Sequence, residues 1–98
     1  MATAGSRTLP AVKQLSRRND AWPVGSTVVT GRDFATTLHD GRRVVGRKRE
    51  HRWEVHVYSP ERRARLVGYG TALTRPAALA AAGLSGDDSG EVLGRVGI

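Results

Sequence analysis

The sequence predicts an α+β domain: an antiparallel sheet of three to four strands packed on one face by a single Ala-rich helix near the C-terminus, with flexible termini. Three observations carry this. Residues Arg52 to Tyr58 alternate strictly, with Trp53, Val55 and Val57 on one side and Glu54, His56 and Tyr58 on the other, which is the pattern of a strand with one buried face. From Ser26 onward, β-branched runs are broken by turn residues, as in a meander of short strands. After Gly70 the pattern changes to Ala77-Ala78-Leu79-Ala80-Ala81-Ala82, a run of high helix propensity.

Residues 1–25 are small, polar and basic. Leu9, Val12 and Leu15 recur at spacing three around Pro10, so Pro10 to Arg18 reads equally as a short docked helix or as part of a mobile arm carrying Arg7, Lys13, Arg17 and Arg18. The folded unit is expected to span residues 26–84. Val28-Val29-Thr30 reads as a short strand ended by Gly31, and Phe34 to His39 as a stronger one. Asp40-Gly41 is a hairpin signal of type I′, because that turn needs positive φ at both central residues. Arg42-Arg43-Val44-Val45 returns and fades at Gly46, leaving Arg47 to Arg52 as a basic loop or the twisted end of the hairpin. Arg52 to Tyr58 follows, then the turn Ser59-Pro60-Glu61-Arg62. Arg63 to Tyr69 returns with Ala64, Leu66 and Gly68 toward the helix. Thr74 is placed to cap that helix, Pro76 lies in its first turn and Gly83 is its stop. Leu73, Leu79 and Leu84 are its expected anchors on a floor of Trp53, Val55 and Val57. Residues 85–98 read as a flexible acidic tail, with Asp87, Asp88 and Glu91 against Arg95, in which Val92-Leu93 is the one pair suited to an edge strand.

Composition narrows the function. Ninety-eight residues make one domain with a small core. The absence of cysteine removes disulfide scaffolds and thiolate zinc sites and makes the cytoplasm the expected compartment. No apolar run is long enough for a bilayer, so no membrane partner is expected. Sixteen Lys+Arg stand against nine Asp+Glu, a net charge of +7, which draws the chain to polyanions. Nine of the cations and three Glu fall between Arg42 and Arg65, so the charge is a patch rather than a diffuse excess.

The alternation assigns that patch a surface. With Trp53, Val55 and Val57 toward the helix, the opposite face carries His56, Tyr58, Arg63, Arg65 and Tyr69. The preceding strand adds Arg43 and Arg47, and the basic segment adds Lys48, Arg49 and Arg52. Guanidinium groups bind phosphates and base edges while rings offer stacking platforms. The expected function is therefore a small non-enzymatic accessory protein binding nucleic acid, DNA or RNA. The alternative is an interaction module or inhibitor docking an acidic protein. No large exposed apolar stripe is visible in the sequence, which favours nucleic acid. Catalysis, cofactor and metal find no motif: Gly68-x-Gly70 lacks the third glycine of a dinucleotide loop, and Glu54 with His56 lacks a third ligand.

Trp53-Glu54-Val55-His56-Val57, Gly68-Tyr69-Gly70 and Thr74-Arg75-Pro76-Ala77-Ala78 together resemble the C-terminal half of a double-stranded-RNA-binding domain, over residues 53–84. The resemblance implies that Arg75, at the helix opening, grips phosphate. The same stretch is similar to the three-stranded sheet plus helix at the N-terminus of phage-type tyrosine integrases, with Val57-Tyr58-Ser59-Pro60-Glu61-Arg62-Arg63 as the hairpin. That similarity implies a sheet face entering the DNA major groove.

Overall fold

Among the described residues, each strand pairs with the strand next to it in sequence. The computed structural model describes residues 22–61 and 63–97. Five antiparallel strands, β1 (Thr27–Thr30), β2 (Asp33–Thr37), β3 (Arg43–Arg49), β4 (Arg52–Tyr58) and β5 (Leu66–Ala72), form one sheet in the order β1-β2-β3-β4-β5. Two helices follow, α1 (Arg75–Ala81) and α2 (Gly86–Val96). The class is α+β, with one strand and one helix beyond the upper expectation. The N-terminal arm or helix expected over Pro10 to Arg18 lies outside the described residues.

β3 does not fade at Gly46. That residue lies opposite Phe34, and a Cβ built on it would stand 2.1 Å from the Phe34 ring. Gly46 is the seat of an aromatic ring inside a strand that runs on to Arg49. The strand then closes on β4 through Glu50-His51, with Arg49 paired to Arg52, so the basic segment is the twisted end of a hairpin. At the β2–β3 connection the expected type I′ turn is corrected: Gly41 has φ +94° but Asp40 keeps a negative φ. Gly41 N–H donates to Leu38 O (2.9 Å) and Leu38 N–H to Arg42 O (2.8 Å), a three-residue loop with glycine in the left-handed position.

The core lies between the sheet and the helices. Phe34, Leu38, Val44, Trp53, Val55 and Val57 meet Ala78, Leu79, Ala82, Leu84 and Val92. Thr74 caps α1 by accepting from Ala77 N–H (3.3 Å), and Gly83, at φ +95°, ends it. Gly68 and Gly70 let the end of α1 lie directly on β5: a Cβ on Gly70 would stand 2.3 Å from Ala82 N and 2.4 Å from Ala81 C. Two expected core positions, the anchor Leu73 and the helix-facing Leu66, are corrected. Leu73 is 69% exposed, because it follows the last residue of β5 and turns away before the helix begins. Leu66 is also exposed, because a register shift at Val57/Tyr58 pairs Val57 with Gly68 and Tyr58 with Leu66. The extra residue, Val67, breaks the alternation.

The C-terminal tail is the largest correction. Instead of a flexible segment or an edge strand, residues 86–96 form α2, with Val92 fully buried. Ser85 caps it, accepting from Asp88 N–H (3.1 Å). Asp87 and Asp88 in the first turn and Arg95 in the last complement the helix dipole. Gly86, Gly90 and Gly94 recur every four residues, and a Cβ at any of them would meet nothing within 4 Å. They line an open face that contributes no packing.

Candidate functional site

Residues directly opposite one another in an antiparallel sheet share a face, so the register arranges the outer surface in rows. Arg43 lies beside Tyr58, then Val45, His56 and Tyr69, then Arg47, Glu54 and Thr71, and finally Arg49 beside Arg52. Successive rows are about 7 Å apart along the strands.

Three side chains of the expected binding set are engaged within the fold. Arg43 is on the outer face but has no exposure at all. The Trp22 ring covers its guanidinium, 4.5 Å from the ring centroid, and its Nη1 donates to Ser26 O and Thr37 Oγ1, both at 2.6 Å. Burial lowers its pKa to about 10. Its Nε and Nη2 are buried with no hydrogen-bond partner, so it is a structural cation rather than a phosphate ligand. Lys48 pairs with Trp53 and so belongs to the helix side, with Nζ 5.4 Å from the Trp53 ring. Arg75 lies 4.3 Å from the Trp53 ring. It donates to Val96 O (3.0 Å), Gly97 O (2.7 Å) and Arg32 O (3.2 Å). It fastens the end of α2 rather than presenting a cation at the opening of α1.

The remaining expected residues form two basic ends around an aromatic centre. Arg47, Arg49 and Arg52 gather at the β3–β4 hairpin end. Arg49 Nε is 3.4 Å from Glu54 Oε1, and Arg52 Nη1 is 3.4 Å from Thr71 Oγ1. Arg63 and Arg65 lie beyond the other end of β4, in the turn before β5 rather than on a strand, and both are exposed. Among the described residues, the Arg65 guanidinium pairs with Glu61 at 3.4 Å, an exposed pair that competes weakly with another anion. Between the two ends, Tyr69 is 50% exposed and meets His56 edge-on at 4.8 Å between ring centroids. His56 also stacks with Tyr58 at 6.4 Å. Burial lowers the His56 pKa; Glu54 opposes this, and Arg47 and Arg49 add to it, so the net effect favours the neutral ring. Tyr58 packs against Ala35 and Val45, which leaves Tyr69 as the accessible ring.

The status of Arg43 yields a paired expectation. Replacing Arg43 by an apolar side chain of similar length removes a desolvated cation but also the two hydrogen bonds from Nη1, whereas truncation adds a cavity to that loss. Arg43→Met therefore costs no more than about 1–2 kcal/mol of folding free energy, while Arg43→Ala loses about 2–3 kcal/mol beyond that. Urea denaturation of the two variants measures the contrast.

A second cluster, not legible in the sequence because its acids were assigned to the tail, joins the β2–β3 loop to α2. His39 Nδ1 lies 2.8 Å from Glu91 Oε1 and 3.9 Å from Asp88 Oδ1. Arg42 Nη2 donates to Asp88 Oδ2 and Arg95 Nη2 to Glu91 Oε2, both at 2.5 Å. Arg95 also reaches Thr37 O. Although His39, Asp88 and Glu91 could converge on a cation, each carboxylate already carries a guanidinium, so the group is an ion-pair latch. The hydrogen bond to Glu91 raises the pKa of His39. A raised folded-state pKa stabilises the fold fully below the ordinary histidine value of about 6.5 and loses that contribution as pH rises through the higher folded value. The His39 contribution to docking of α2 is therefore complete below about pH 6.5 and is lost as pH rises through the higher folded-state value. Hydrogen exchange of α2 amides, after correction for intrinsic rates, should show this trend in the parent and lose it in His39→Gln.

Among the described residues, no helix is long and apolar enough to cross a membrane. No family model, curated protein or solved structure matches this chain.

Proposed function

We propose that this chain is a non-enzymatic nucleic-acid-binding protein and that the outer face of β3–β4–β5 is its binding surface. One observation supports the reading above the others: the register sets Arg47, Arg49 and Arg52 on the same face as His56 and Tyr69, with Arg63 and Arg65 at its far end. Phosphate contacts supply affinity and an exposed ring supplies a stacking platform. Two of the three acids of α2, Asp88 and Glu91, are neutralised by pairing with Arg42 and Arg95 at the helix latch. Relative to the sequence expectation the binding set is smaller: Arg43, Lys48 and Arg75 leave it, and Tyr69 replaces Tyr58 as the principal ring.

The test is fluorescence anisotropy with labelled single- and double-stranded DNA and RNA at several salt concentrations. Binding weakens with salt at a log–log slope of about −0.7 to −0.9 per phosphate contacted. Arg49→Ala and Arg52→Ala each flatten the slope by about one contact. Tyr69→Ala lowers affinity by about 1–3 kcal/mol and leaves the slope unchanged. Arg43→Met alters neither. Absence of binding to every probe at low salt refutes the proposal.

A further inference from the structure

Four of the large apolar side chains that the fold leaves in water fall within β5 and the residue after it: Leu66, Val67, Tyr69 and Leu73, each at least half exposed. β5 is also a sheet edge. β4 pairs along one side of it, and no strand among the described residues pairs along the other. Such an edge presents unpaired N–H and C=O groups, and proteins ordinarily blunt it with charge or proline. Here Leu66 to Thr74 contains neither, in a chain that is 26% charged. The other edge, β1, has four residues against seven in β5. Among the described residues, a bulge at Val67 is the one protective device, and it lies near the start of the strand, leaving Gly68 to Ala72 in regular register with β4.

We infer that the β5 edge receives an extended segment of an acidic protein as a sixth strand. Main-chain hydrogen bonds along an edge supply affinity in this mode of recognition, and alternate side chains supply specificity. The charges around the edge indicate the partner. Arg63 and Arg65 are exposed just before β5, and Arg52 reaches Thr71 at the other end, so an added strand lies between cations at both ends. Its complement is a segment with apolar residues at alternate positions and Asp or Glu flanking them. A second copy of this chain fits poorly. Antiparallel self-pairing of β5 brings Arg63 and Arg65 of one copy toward Arg52 of the other, and facing like charges destabilise. The inference concerns the edge of the sheet rather than its outer face, and holds whether or not that face binds nucleic acid.

The test is selection of a displayed random library of 12-residue peptides on the full chain, followed by hydrogen exchange with the best synthetic peptide. The expected consensus alternates apolar residues between acidic flanks, and the peptide slows exchange of β5 amides. Val67→Lys weakens binding at least tenfold at unchanged melting temperature, because it blunts the edge. Plain attraction between an acidic peptide and a basic protein would instead strengthen with the added lysine, and that result overturns the inference. So do three others: no enrichment, a consensus without alternation, or sedimentation showing that the free chain already self-associates through β5.

Discussion

Trp53→Ala lowers folding stability by about 3–5 kcal/mol, a large part of the 5–15 kcal/mol typical of a whole domain. Two consequences of one side chain combine. The ring is 8% exposed and belongs to the core between the sheet and the helices, so truncation leaves a cavity that backbone elements on both sides hold open. The same ring is the surface on which the Arg75 guanidinium rests while it donates to the carbonyls of Val96 and Gly97. Loss of the ring therefore loosens the C-terminal helix as well as the core. Urea denaturation measures the total, and amide exchange in α2 reports the second part, which should exceed the change in β2 and β3. An unchanged melting temperature would mean that Trp53 is not between sheet and helices.

Gly70→Val costs about 3 kcal/mol, at the upper end of what overpacking does. The atoms a side chain would strike are backbone, Ala82 N and Ala81 C, and cannot rotate aside as a side chain would. The end of α1 has to lift from β5, separating Leu79 and Ala82 from the sheet. Gly83→Val tests a different property, since a Cβ there meets nothing within 4 Å but φ is +95°. Its cost is the backbone strain of a β-branched residue in the left-handed region. Thermal unfolding of both variants, with α1 amide exchange, separates the two mechanisms: only Gly70→Val should detach the helix below the global transition.

The parts legible from sequence are those whose cause is local. The strand Arg52–Tyr58 matches its alternation residue for residue, and α1 matches its Thr74 cap, Pro76 and Gly83 stop. What escaped depends on distant chain. Alternation correctly assigns Arg43 to the outer face, but its burial comes from Trp22, Ser26 and Thr37. Arg75 stands at a helix opening like a phosphate ligand, yet the carbonyls it binds are 21 and 22 residues further on and 43 residues back. The alternation of β5 is broken by one inserted residue, which no local pattern marks. Residues 86–96 contain three glycines and would be a poor helix alone; Val92 in the core and the ion pairs to the β2–β3 loop make them one. For the proposed binding surface, Arg47, Arg49, Arg52, Arg63, Arg65 and Tyr69 were readable because they lie close to β4, whose alternation marks the outer face. The acids of the latch were not, because Arg42 and His39, which complete it, lie 46 and 52 residues away in sequence.

The order of the strands has a consequence for the speed and sequence of folding. Every strand closes on its chain neighbour through a short connection, so little loop entropy precedes each pairing. A sheet built from such near contacts lies at the fast end for β-containing domains. The latch on α2 is the opposite case. Arg42 meets Asp88 across 46 residues, His39 meets Glu91 across 52, and Arg95 meets Thr36 across 59. Contacts of that separation are made after the sheet has brought their ends together. Substitutions in the β3–β4 hairpin should therefore slow refolding, while those at Asp88, Glu91 or Arg95 leave the refolding rate almost unchanged and accelerate unfolding.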